Sequence, residues 1–172
     1  MESGRPNSPS PLFLRLVFGR NPAWTVLRIL SVVFVSLVVF KFVIVPIRVT
    51  GNSMLPTYQN GQIKFVNKLA YRWSAPRRGD VVAAKYEGEQ VLLLKRIIAL
   101  PGETMRVKNG EIYINDRKLV EPYSSGPIPY GRGRGWTAPI KLKADEYLVL
   151  GDNRMVSEGY FKYGNEILGK VL

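Results

Sequence analysis

The side chains of this chain best suited to joint nucleophilic chemistry are one serine and one lysine. Ser53 lies in Gly51-Asn52-Ser53-Met54-Leu55-Pro56-Thr57. A Gly-Asn turn precedes it and a proline-fixed bend follows, a setting that can expose a hydroxyl and aim backbone N–H groups at one point. Those N–H groups could stabilise an oxyanion. Taken alone, a serine here is equally a plain turn residue. Lys95 lies in Val91-Leu92-Leu93-Leu94-Lys95-Arg96-Ile97-Ile98-Ala99-Leu100. In a strand it shares a face with Leu93 and Ile97, where lost hydration lowers an ammonium's pKa. A neutral amine can take a proton from a serine hydroxyl. The alternative is a solvent-facing lysine. Arg96 is the internal control, because a guanidinium stays protonated and cannot act as a base.

What the chain lacks sharpens this pairing. It contains no His and no Cys, which removes the Ser-His-Asp triad, thiolate nucleophiles, disulfides and nearly every zinc arrangement. Acid–base chemistry near neutral pH falls to Lys, Tyr or carboxylates. A third cluster is Leu150-Gly151-Asp152-Asn153-Arg154, followed by Ser157. Asp152, Asn153 and Arg154 offer hydrogen bonds that could lock a tight turn against a neighbouring loop. Ser157, beyond the turn, could bond the lysine amine and orient it. An ordinary β-turn is the competing reading.

The elements that must position these residues begin with an apolar run. Residues 24–47 read WTVLRILSVVFVSLVVFKFVIVPI, uncharged from Ile29 to Phe40. Ile29 to Ile47 would make roughly 28 Å of helix, close to the hydrocarbon thickness of a bilayer. No A-x-A cleavage pattern follows, so a retained membrane helix is expected over 24–47, with 1–23 as a cytoplasmic tail and 48–172 as the catalytic domain. Leu12 to Phe18 could form a short amphipathic turn. Arg5, Arg15, Arg20 and Arg28 against Glu2 place the N-terminal side in the cytoplasm by the positive-inside rule.

Downstream, strands are expected at Ile63 to Val66, Asp80 to Ala84, Gln90 to Ala99 and Tyr147 to Leu150. A hairpin is expected about Asn109-Gly110, between Thr104 to Val107 and Glu111 to Ile114. The fold class is mainly β. Residues 121–139, EPYSSGPIPYGRGRGWTAP, read as an irregular excursion. The net charge of +12 is compatible with nucleic acid, an anionic membrane surface or a solvated exterior. The run GRGRG is short and isolated, and the apolar span favours the membrane over nucleic acid.

Taken in order, an apolar span, GNSMLPT, RRGDVV, KRIIALPGE and LGDNRMVS resemble the signal peptidase I family of Ser-Lys membrane proteases, from about residue 25 to 170. The Ser-Met-x-Pro-Thr and Lys-Arg-x-x-x-x-Pro-Gly-(Asp/Glu) stretches are the specific ones. The resemblance implies a mostly antiparallel β domain whose apolar surface sits on the membrane. It implies Ser53 as nucleophile, Lys95 as general base, Ser157 as the serine that holds the lysine amine, and Asp152, Asn153 and Arg154 as a structural turn. It further implies Val49, Met54 and Leu94 in shallow pockets for small substrate residues one and three places before the cut. Exported preproteins and the lipid bilayer are the expected partners, at the bacterial cytoplasmic membrane or an organelle inner membrane, with no metal or cofactor. A specialised relative with a narrow substrate and a degenerate scaffold subunit are the alternatives. Two departures stand out. Gly51 replaces a serine that lends its hydroxyl to the oxyanion hole in some members, leaving backbone N–H groups or a neighbour such as Thr50 or Asn52. Glu158-Gly159-Tyr160-Phe161 replaces the family's x-Asp-Ser-Arg and its salt bridge.

Overall fold

The computed structural model describes residues 22–86, 92–129 and 136–172. Helix α1 spans Pro22–Phe42. Pro22 opens it at a position where a missing N–H costs nothing. From Ala23 to Phe42 the mean hydropathy is 2.3 and the side chains are not buried in protein. At about 1.5 Å per residue its length approaches 31 Å, enough to cross a bilayer.

The expected helix over 24–47 is corrected at its C-terminal end. Ile44–Arg48 is strand β1. Val43, Ile44 and Val45 are β-branched and favour extended backbone. Pro46 lacks an N–H, disfavours helix at the residue before it, and would clash with the carbonyl four residues earlier. As an edge strand β1 tolerates that proline. Pro22 and Ala23, expected in the tail, lie within the helix. The remainder of the tail, including Leu12 to Phe18, lies outside the described residues.

Val43–Leu172 forms a compact unit of its own. After β1 come β2 (Ile63–Asn67), β3 (Val81–Lys85), β4 (Leu92–Ala99), β5 (Thr104–Lys108), β6 (Glu111–Ile114), β7 (Arg117–Lys118), β8 (Ile140–Lys141), β9 (Glu146–Leu150), β10 (Tyr160–Tyr163) and β11 (Ile167–Val171). A seven-stranded sheet has the order β1-β2-β11-β3-β4-β9-β10, and a four-stranded sheet the order β7-β6-β5-β8. Every pairing is antiparallel. Each strand expected from sequence is present within a residue or two, with Gln90 and Val91 outside the described residues. In the β5–β6 hairpin, Asn109 (φ 54°) and Gly110 (φ 76°) are both left-handed, as a two-residue turn requires. A Cβ at Gly110 would also meet Pro127 Cβ at 2.8 Å.

The 121–139 stretch contains no strand among its described residues. It is nevertheless anchored: Ile128 is buried, and Tyr123 and Trp136 pack on the core formed by Ile98, Met105, Ile112, Leu148 and Leu150. A second core gathers Met54, Val66, Val81, Ala83 and Val171. The serine loop is tied into this second core.

Candidate active site

The loop carrying Ser53 continues from the β1–β2 pair. Val49 N–H donates to Gln62 O (2.8 Å) and Gly61 N–H to Val49 O (2.8 Å), extending the ladder past the strand ends. Gly51 (φ 87°) then turns the chain in a conformation that side chains resist. Met54, 1% exposed, plugs the loop into the core beside the serine. Asn153 grips the loop from the far side: its N–H donates to Ser53 O (3.0 Å) and its side-chain amide to Asn52 O (3.1 Å). Among the described residues neither the Ser53 hydroxyl nor its N–H has a hydrogen-bond partner.

Lys95 lies in β4 opposite Val82 of β3. Strand alternation puts it on the buried face with Ile97, and it is only 4% exposed. Its amine donates to Ser157 Oγ at 2.7 Å and lies 5.6 Å from the Tyr160 ring centroid. Burial pulls its pKa down to about 8, while the Glu158 carboxylate pushes back. Arg96, one residue on, faces the other way, as alternation requires.

Ser157 is saturated. Its hydroxyl accepts from Lys95 and from Gly151 N–H (2.8 Å) and donates to Glu158 O (3.1 Å). One hydroxyl proton and two lone pairs are thereby all used. Gly151 sits against both halves of the site. A Cβ there would stand 2.3 Å from Ser53 O and 2.4 Å from Ser157 Oγ.

The turn after β9 is clamped on both sides. Asp152, fully buried, accepts from Arg96 Nε (2.8 Å) and Nη2 (2.6 Å), and from the Thr57 hydroxyl. Arg96 also donates to Gly79 O (2.8 Å) and stacks 4.1 Å from the Tyr123 ring centroid. Arg154, 2% exposed, makes a two-pronged ion pair with Glu121 (2.8 and 2.7 Å) and donates to Gly151 O (3.0 Å). Ser125 N–H donates to Asp152 O (3.0 Å). The Arg96–Asp152 and Arg154–Glu121 pairs hold this turn without help from the segment after Ser157.

Ser53, Lys95, Val49, Met54 and Leu94 line one cleft of about 550 Å³, together with Ile47, Thr50, Ala83 and Leu92. Ile47, assigned to the helix from sequence, belongs to this cleft instead. Ala83 was missed as well. It pairs with Leu94 across β3 and β4, a register that the fold reveals and the sequence alone does not. Thr57 and Glu121 were also missed as site residues. The cleft is open, with apolar walls that include Ile47, Val49, Met54, Ala83 and Leu94 beside the polar groups of Arg48, Thr50, Ser53 and Lys95.

A model of the family described as signal peptidase, peptidase S26, matches residues 23–159. Signal peptidase I T of Bacillus subtilis (strain 168) is 35% identical over 134 residues, covering 75% of this chain and 69% of its own. Signal peptidase IB of Staphylococcus aureus (strain N315) is 32% identical over 160 residues, covering 83% of each. A crystal structure of a signal peptidase I from Enterococcus faecalis V583 superposes with a TM-score of 0.47 at 25% identity, covering 58% of this chain and 98% of that one. The family model spans most of the chain, from the apolar helix through the serine loop and the lysine strand to the clamped turn. This chain belongs to the signal peptidase family, peptidase S26.

Proposed function

We propose that this serine protease removes signal peptides from exported preproteins by acyl transfer, with Ser53 as nucleophile and Lys95 as general base. The observation that carries the assignment of roles is the saturation of Ser157. With its proton given to Glu158 O and one lone pair taken by Gly151 N–H, Ser157 can only accept from Lys95. A neutral Lys95 amine therefore spends an N–H on Ser157 and keeps its lone pair for another proton. Ser53, in the same cleft, offers that proton.

Neutral Lys95 takes the hydroxyl proton as Ser53 Oγ bonds to the scissile carbonyl carbon. The oxyanion receives the free Ser53 N–H. The lysinium protonates the departing amine, the peptide bond breaks, and an acyl-serine ester remains. Water, deprotonated by Lys95, attacks the ester carbonyl carbon, the C–O bond to Ser53 breaks, and the lysinium returns the proton to Ser53 Oγ.

Val49, Met54 and Leu94 shape the cleft for small side chains before the cut, and the extended substrate pairs with strand edges beside it. Helix α1 anchors the chain in the bacterial cytoplasmic membrane, with residues before it in the cytoplasm and the β domain outside. The arginines at 5, 15, 20 and 28 support that orientation.

Cleavage of a model preprotein by the full chain in detergent or lipid tests the roles. Ser53→Ala and Lys95→Ala should each lose about three orders of magnitude or more. Activity of the unaltered chain should rise with pH through about 8, as Lys95 loses its proton. Full cleavage by either variant overturns the assignment.

A further inference from the structure

Glu158-Gly159-Tyr160-Phe161, where the chain departs from the family pattern, builds a second layer over Lys95. Trp136 pins its backbone: a Cβ at Gly159 would stand 2.1 Å from Trp136 Cη2, so an aspartate has no room there. Phe161 meets the same indole edge to face, with centroids 6.2 Å apart. Tyr160 instead brings its ring to 5.6 Å from the Lys95 amine. Tyr86 braces that ring edge-on at 5.7 Å. The Tyr160 hydroxyl donates to Glu158 Oε2 (3.0 Å), and the Glu158 carbonyl takes the Ser157 proton (3.1 Å).

We propose that the Glu158 carboxylate, held by the Tyr160 hydroxyl, is the positioning group that balances the Lys95 amine between base and acid. The inference rests on Lys95 serving as the general base. Among the described residues, Glu158 is the carboxylate that Tyr160 links to the amine's surroundings, while Arg154, which shares a pocket with Glu158, is paired with Glu121. Across β3 stands Val82, and the serine loop contributes the uncharged Ser53. The Tyr160 phenol, pushed up to about 12 by burial first and then by Glu158, stays neutral. Arg48 lines the open cleft. Arg96 and Asp152 pair with each other on the opposite side of β4.

The chemistry needs both directions of proton transfer. Burial alone would leave the amine neutral at lower pH but less basic toward the Ser53 proton. A stronger counter-charge would keep it protonated and silent. A nearby carboxylate, itself exposed and hydrogen-bonded away from direct contact, sets the midpoint near the working pH, where one group serves best as base and then as acid.

The test is a titration of Lys95 itself. The full chain carrying Ser53→Ala, with ¹³C-labelled lysine in detergent micelles, is followed by NMR, and the Lys95 signal is identified by its loss in Lys95→Arg. Glu158→Gln should lower the midpoint by roughly half a unit to one unit. Tyr160→Phe, which keeps the ring and drops the hydroxyl, should lower it by less. The double variant should go no lower than Glu158→Gln. With Ser53 restored, the acid limb of kcat/KM should move in parallel. Glutamine keeps the shape of this exposed side chain, so folding is preserved. An unmoved or raised midpoint in Glu158→Gln overturns the proposal. Cleavage by Lys95→Ala would overturn the base assignment instead, and the NMR midpoint answers separately.

Discussion

At Ser157, donors and acceptors close into a complete set, with Lys95, Gly151 N–H and Glu158 O as partners. Removing the hydroxyl strands a buried backbone N–H and frees the lysine to rotate. Under the proposed roles, in which Ser157 orients the Lys95 base rather than binds substrate, Ser157→Ala should lower kcat by about 10- to 100-fold, with KM within about twofold. Steady-state kinetics on a preprotein check this, and a rise in KM at unchanged kcat would assign Ser157 to substrate binding. The proposed lysine base is legible in the sequence because His and Cys are missing from it, and the order of motifs makes that proposal specific. The supports are less legible. Arg154 meets Glu121 across 33 positions, Arg96 meets Asp152 across 56, and Thr57 meets Asp152 across 95. Each partner is an ordinary polar residue until the sheet order brings it near.

The strands divide the work by alternation. β4 presents Lys95 to the cleft and Arg96 to the clamp, so the proposed base and its scaffold are set by one backbone. The turn after β9 closes the arrangement, and Gly151 is its tightest contact. Gly151→Ala would force a methyl into the Ser53 carbonyl and the Ser157 hydroxyl at once. The backbone must shift, which we expect to cost about 2 kcal/mol or more in stability and at least 100-fold in activity. Thermal unfolding alongside cleavage assays will test this, and an active, unshifted variant would show that the contact gives way easily. Strands with a plain apolar run are legible, as is the Asn-Gly hairpin. Five other strands are not, and β7 and β8 among them are only two residues long. β1 hides inside an apolar stretch that reads equally as membrane helix until Pro46 is weighed. β10, Tyr-Phe-Lys-Tyr, buries its lysine at 1% exposure against Glu166, which a polarity pattern does not announce. β11 carries Gly169, where a Cβ would stand 2.2 Å from Asn67 O. A glycine demanded by close backbone approach looks, in sequence, like a strand breaker.

For the molecule as a whole, the buried Lys95 amine is a burden on folding. Lys95 falls from its usual 10.5 to about 8 in the folded state. Between those values Lys95 in the unfolded chain binds more proton than in the folded one, so its contribution to stability climbs as pH rises from about 8 to about 10.5. Below pH 8 the full penalty applies, at most about 3 kcal/mol. Lys95→Met, similar in volume and uncharged, should melt several degrees higher than the unaltered chain at pH 7, with the gap narrowing toward pH 10.5. Calorimetry in micelles at several pH values measures this, and equal gaps at both ends would mean that burial does not penalise the charge. The difference in melting temperature between the unaltered chain and Lys95→Met, scanned against pH, thus records the occupancy of the Lys95 proton. Any compound that enters the cleft and fixes the amine in a single protonation state will bend that curve. Candidate inhibitors can then be ranked by the bend alone, with no preprotein in the tube.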